Sequence, residues 1–90
     1  MNVAVRVRVR GMVHGVAFRA TMAEVAKDEG VAGWVRNLSD GSVEAFLEGN
    51  EGPVASVVEW ARTGPSRARV DSVEVRSAEP RDLKGFRIAG

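Results

Sequence analysis

Val3, Val5, Val7 and Val9 alternate with Ala4, Arg6, Arg8 and Arg10, and this period of two constrains the chain more than any other stretch. β-Branched side chains are stiff at χ1, and successive strand residues point to opposite faces, so the segment reads as a strand with one buried side. Such a strand needs sheet neighbours and a cover for its valine face. A chain of 90 residues has room for only one core to provide that cover.

The rest of the sequence supplies the neighbours and the cover. Gly11-Met12-Val13-His14-Gly15-Val16 interrupts the alternation, and Phe18, Met22, Val25 and Ala26 then recur at helical spacing, with Gly30 as the stop. A second strand runs over Val31 to Asn37, and Ser39-Asp40-Gly41 turns the chain into a third, Ser42 to Glu48, making a hairpin. Gly49 to Pro53 opens a second helix whose apolar stripe is Val54, Val57, Val58 and Ala61, ended by Gly64-Pro65. A fourth strand spans about Val70 to Arg76, where the broken parity of Val70 and Val73 predicts a bulge or a late start, and Phe86-Arg87-Ile88 closes the chain as a short strand.

Strand, helix, strand, strand, helix, strand is the split βαβ order of ferredoxin-like folds. The fold class is therefore an α/β (α+β) sandwich. It has a four-stranded antiparallel sheet, two helices on one face, a short extra C-terminal strand, and one domain over residues 1–90. The first two strands are joined by a helical crossover and should run parallel, so their C-terminal ends share one edge. The loop from Gly11 to Arg19 and the residue Asn37 can then meet despite their separation in sequence. Trp34 and Trp60 read as core or core-edge packing.

Thirteen basic and twelve acidic residues leave a net charge of +1, too small a field to argue for a polyanion or an anionic membrane as partner. The absence of cysteine removes disulfides, thiolate metal sites and cysteine nucleophiles together. No run of about 18 apolar residues and no signal-like N-terminal segment is present, which predicts a cytoplasmic protein with no membrane partner.

Two blocks carry chemistry. Gly11-Met12-Val13-His14-Gly15-Val16-Ala17-Phe18-Arg19 resembles the acylphosphatase signature Gly-x-Val-Gln-Gly-Val-x-Phe-Arg, from which only His14 departs at the defined positions. Gly33-Trp34-Val35-Arg36-Asn37, followed by Asp40-Gly41-Ser42, is similar to the second block of that family. The resemblance covers essentially the whole chain. It implies an enzyme that hydrolyses the carboxyl-phosphate bond of acyl phosphates such as acetyl phosphate, carbamoyl phosphate or 1,3-bisphosphoglycerate, releasing inorganic phosphate without metal or cofactor. It further implies that Arg19 binds phosphate, that Asn37 orients water and that Ser42 supports Asn37.

The residues support a similar picture on physical grounds. Glycines let successive N–H groups of a loop comprising Met12, Val13, His14, Gly15, Val16, Ala17, Phe18 and Arg19 face inward, and the following helix offers its N-terminal dipole. Arg19 adds a planar fork of donors that a lysine could not match. Met12 and Val13 are apolar and would flank a phosphate by backbone alone. Arg19 stays protonated and Asn37 does not titrate, so the site lacks a strong base and suits an already reactive substrate whose carboxylate leaves without a proton. His14 invites a general-base role, but the glutamine at that place in the family cannot act as one.

The rival reading is a non-enzymatic RNA- or ligand-binding module, since this fold serves such purposes too. RNA binders of this architecture stack bases on sheet aromatics. The first strand offers no aromatic, there is no tyrosine, and Phe46 is the one aromatic of the third strand, which predicts no nucleic-acid partner. Arg6, Arg8 and Arg10 are expected to pair instead with acidic residues such as Glu44, Glu48, Asp71 or Glu74. A monomer is the default state.

Overall fold

The computed structural model describes every residue from Met1 to Gly90. Its elements are β1 (Asn2–Met12), α1 (Phe18–Glu29), β2 (Ala32–Asn37), β3 (Val43–Asn50), α2 (Glu51–Ala61), β4 (Arg69–Ala78) and β5 (Phe86–Ile88). The sheet order is β4-β1-β3-β2-β5. The first four strands pair antiparallel, and β5 adds a parallel edge beside β2. This is the ferredoxin-like α+β arrangement with its appended strand.

The valine face of β1 is covered as its alternation requires. Val7 and Val9 join Val35 of β2, Val43, Ala45 and Leu47 of β3 and Phe86 of β5 in a core of 16 buried residues. The helices contribute Phe18, Met22, Ala23 and Ala26 from α1 and Val54, Val57 and Ala61 from α2. Gly30 ends α1 in a left-handed conformation, φ 72°, which glycine adopts without strain.

The opposite face is a layer of guanidinium groups over two aromatics. Trp34 and Phe46, opposite one another on β2 and β3, stack with centroids 6.2 Å apart. Arg6 lies 5.7 Å from both rings, Arg36 lies 5.2 Å from Trp34, and Arg81 lies 5.2 Å from Phe46. Trp34 is thus outside the helix-covered core, because Val31, Gly33 and Val35 take the inward parity. Trp60 does pack at the core edge, 5.1 Å from Phe18.

Charge pairing on this face follows the sequence reading in part. Glu44 lies within 4 Å of Arg6, Arg8 and Arg36, and Glu74 accepts a 2.8 Å bond from Arg10. Asp71 instead pairs with Arg69 of its own strand. Glu48 also departs from the expectation: it is 3% exposed, and its carboxylate accepts the backbone N–H groups of Arg81, Asp82 and Leu83 at 3.0–3.3 Å. It anchors the segment that delivers β5 to the edge of β2. Charge-assisted bonds of this kind contribute about 1.5–3 kcal/mol each, so Glu48→Ala should cost at least about 2–3 kcal/mol. A thermal melt is expected to shift down by about 10–20 °C; an unchanged melting temperature would show that the anchor is dispensable.

The predicted bulge is present, and it changes the meaning of one glycine. Arg10 faces Ser72 while Gly11 faces Val70, which leaves Asp71 without a partner. At Gly11 a Cβ would stand 2.1 Å from the Arg69 carbonyl oxygen. β1 therefore continues through Gly11 and Met12, and Gly11 serves the close approach of two strands instead of a phosphate loop.

Candidate active site

The edge expected to carry the site exists. β1 and β2 both run antiparallel to β3 and hence parallel to each other; Asn37 faces Val43, which faces Val9. The loop leaving β1 and the last residue of β2 reach the same rim. They line a small pocket of ≈ 160 Å³ formed by Val13, Gly15, Ala17, Phe18, Arg19, Ala20, Asn37 and Ile88.

The loop has the conformation of an anion cradle. Gly15 (φ 71°) and Ala17 (φ 63°) are left-handed, with Val16 between them. Alternation of this kind turns successive N–H groups to one side. None of the backbone N–H groups of residues 13–20 donates to a protein acceptor; the first bond of α1 runs from Thr21 N to the Ala17 oxygen. α1 also lacks a capping side chain and has no acidic residue in its first turn. Its positive dipole end is left for something other than the protein. A left-handed alanine costs roughly 1–2 kcal/mol, and strain of this sort concentrates at functional sites.

Arg19 and Asn37 converge on one atom. The carbonyl oxygen of Gly90 accepts a hydrogen bond from Arg19 Nη1 and another, at 3.5 Å, from the backbone N–H of Asn37. The chain after β5 brings this oxygen there, with Ala89 N donating to the Val35 oxygen at 2.8 Å. No Asp or Glu side chain pairs with Arg19. The side-chain oxygen of Asn37 is buried without a hydrogen-bond donor, a condition that costs about 1–3 kcal/mol and calls for an explanation in function.

The remaining expected residues are placed less directly. Met12 ends β1 opposite Arg69 and is 58% exposed, so it does not belong to the loop. Val13 and Phe18 are buried in the core and fix the two ends of the loop. Val16 packs partly against the core and His14 points elsewhere; neither lines the pocket. The Ser42 hydroxyl donates to Asp40 Oδ1 at 2.5 Å and makes no bond to Asn37. That bond, the Ser42 amide, and the charges of Arg8 and Arg10 together hold the Asp40 carboxyl below its ordinary range. A lowered carboxylate favours the fold above the usual carboxylate range and loses that contribution as the solution is acidified through its own titration. Ala20, Ile88 and the Gly90 carbonyl were not anticipated. Ile88 carried a faint signal as part of a terminal strand, but nothing in the sequence says which strand it pairs with.

A larger hollow, ≈ 400 Å³, lies on the open sheet face among Arg6, Arg8, Arg10 and Arg76. Its guanidinium groups face Glu44 and Glu74 and it has no row of free backbone donors. The rim pocket is the better fit for a small tetrahedral oxyanion. No three His, Asp or Glu side chains gather closely enough to hold a metal ion, and no helix is long and apolar enough to cross a membrane.

Fold and rim together define an α+β fold with a loop of unbonded backbone N–H groups beside an asparagine whose side-chain oxygen is buried. Comparison with known proteins narrows that class. The acylphosphatase family model matches residues 5–88. The chain is 48% identical over 89 residues to an acylphosphatase of Thermococcus kodakarensis, covering 99% of this chain and 98% of that protein. It is 56% identical over 82 residues to one of Pyrobaculum arsenaticum, covering 89% and 86%. The solved structure of an acylphosphatase from Coxiella burnetii superposes with a TM-score of 0.94 at 33% identity, over 98% of this chain and 93% of that one. The chain belongs to the acylphosphatase family.

Proposed function

We propose that this protein hydrolyses acyl phosphates to a carboxylate and inorganic phosphate, with Arg19 as phosphate clamp and Asn37 as the residue that holds the attacking water. Family membership supports the reaction class. The observation that carries the mechanism is the shared oxygen: Arg19 and Asn37 both reach the Gly90 carbonyl beside a loop of unanswered N–H groups. A phosphoryl oxygen takes the place of that carbonyl oxygen when substrate binds. The guanidinium fork and the loop N–H groups hold the equatorial oxygens, on which charge is spread in a loose transition state.

A water held by the Asn37 side chain attacks phosphorus in line with the acyl oxygen. Its oxygen forms the new P–O bond, the P–O bond to the acyl group breaks, and the electron pair departs on the carboxylate. The carboxylate leaves unprotonated, and the water proton passes to phosphate or solvent, so the step needs no general acid, metal or cofactor from the protein. The same reading takes the protein as a cytoplasmic monomer acting on a small molecule, without nucleic acid. The guanidinium groups over Trp34 and Phe46 weigh against base stacking on the sheet.

The test is release of phosphate from a synthetic aryl acyl phosphate in the presence of a chelator, with inorganic phosphate as competitive inhibitor. Asn37→Ala should lower kcat by about 10²-fold or more, since loss of orientation is the main effect, while the inhibition constant of phosphate stays within about threefold. Thermal stability should hold or rise, because the variant removes a buried polar atom without a partner. Near-normal turnover by Asn37→Ala would remove the water-positioning role.

A further inference from the structure

His14 is the motif residue that the proposed reaction leaves unused. Its Nε2 lies 2.8 Å from the Ser42 carbonyl oxygen, across 28 residues of sequence. A carbonyl only accepts, so Nε2 carries the proton and donates. The same carbonyl accepts the Leu38 N–H at 2.8 Å, and Leu38 directly follows Asn37. One oxygen atom therefore ties the loop that forms the cradle to the turn that fixes the end of β2. Ser42 is itself 2% exposed and held from the other side by Asp40, which accepts both its hydroxyl and its amide. The acceptor is rigid, and the loop is the part that needs restraint: Gly15 and Ala17 are left-handed and the segment's own N–H groups make no protein bonds.

We infer that His14 is a positioning residue that sets the spacing between the phosphate cradle and Asn37 through its Nε2–H bond to the Ser42 carbonyl. The inference rests on the proposed hydrolysis at this site. Its chemistry needs a side-chain N–H donor of suitable reach, and needs no titration, since imidazole and imidazolium both donate from Nε2. A carboxamide offers the same donor, which accounts for histidine standing where a glutamine can serve. The spacing it sets decides whether a water on Asn37 lies in line with a phosphorus atom on Arg19, and a misplacement of about 1 Å is worth about 10²-fold in rate.

His14→Leu and His14→Gln test this with benzoyl phosphate as substrate and inorganic phosphate as inhibitor. His14→Leu should lose about tenfold or more in kcat, with a much smaller change in the phosphate inhibition constant, because the cradle donors are kept. His14→Gln should recover kcat to within about threefold and show the same pH profile of kcat as the unmodified protein. A purely structural role would lower the melting temperature without splitting kcat from phosphate affinity. Full activity in His14→Leu overturns the inference. So does a glutamine variant as slow as the leucine one with an altered acid limb, which would make the imidazole a base. If His14→Leu does not fold, the imidazole 15N spectrum of the unmodified protein decides: a slowly exchanging Nε2–H supports the tie, and exchange as fast as free imidazole overturns it. That measurement also separates this inference from the hydrolase reading, which fails on its own if the unmodified protein releases no phosphate.

Discussion

Arg19→Ala is expected to lower kcat/KM for an aryl acyl phosphate by about 10³-fold or more, the range over which a transition-state guanidinium acts in phosphoryl transfer. The same variant should weaken competitive inhibition by phosphate, in contrast to Asn37→Ala, because the fork meets ground state and transition state alike. Stability should change little: Arg19 pairs with no Asp or Glu side chain, and its one hydrogen bond goes to the main-chain oxygen of Gly90. Arg19→Lys keeps the charge but loses the paired donors, so it should recover only part of the loss. Steady-state kinetics and phosphate inhibition for the three proteins check the set. A kcat/KM within tenfold of normal in Arg19→Ala would place the phosphate elsewhere.

Gly33→Ala should unfold the protein at temperatures the parent tolerates. Gly33 lies between β3 and β5 with φ 143°, and a Cβ there would stand 1.8 Å from the Phe46 carbonyl oxygen and 2.8 Å from its carbon. Backbone cannot yield as a side-chain tip would; β2 would have to move by more than an ångström against both neighbours. A cost of about 4 kcal/mol belongs to the severe class of single substitutions, and a domain of this size has only about 5–13 kcal/mol to lose. The melting temperature should fall by about 15 °C or more. Gly15→Ala is the contrasting control: a Cβ there meets nothing within 4 Å, so only the left-handed backbone resists it, at about 1–2 kcal/mol. Equal melting temperatures for the two variants would show that β2 has room the structure does not display.

The two glycines show where sequence reading reaches its limit. Both blocks containing Gly11 and Gly33 were visible as chemistry-bearing motifs, yet each of these glycines serves strand packing, while the left-handed turn of the cradle falls on Gly15 and on Ala17. A glycine's permissive backbone is a property of the residue; whether it is spent on a turn or on a close approach depends on which strand lies opposite. Glu48 shows the same limit from the charged side. Its parity and acidity suit a partner for arginine, but the loop of residues 81–83 arrives at its carboxylate first.

The sequence by itself determined the elements, their order and the two segments proposed to carry the chemistry. Periods of two and of 3.6, glycine stops and the placement of Arg19 after a glycine-rich turn are local properties, written within a few residues of one another. Tertiary structure alone decided that β5 joins β2 and delivers Ile88 and the Gly90 carbonyl to the rim, that Asn37 buries an unmatched oxygen there, and that His14 reaches Ser42. These are pairings between residues far apart in the chain, chosen by backbone hydrogen bonding and the shape of one shared core, and no local pattern records a partner.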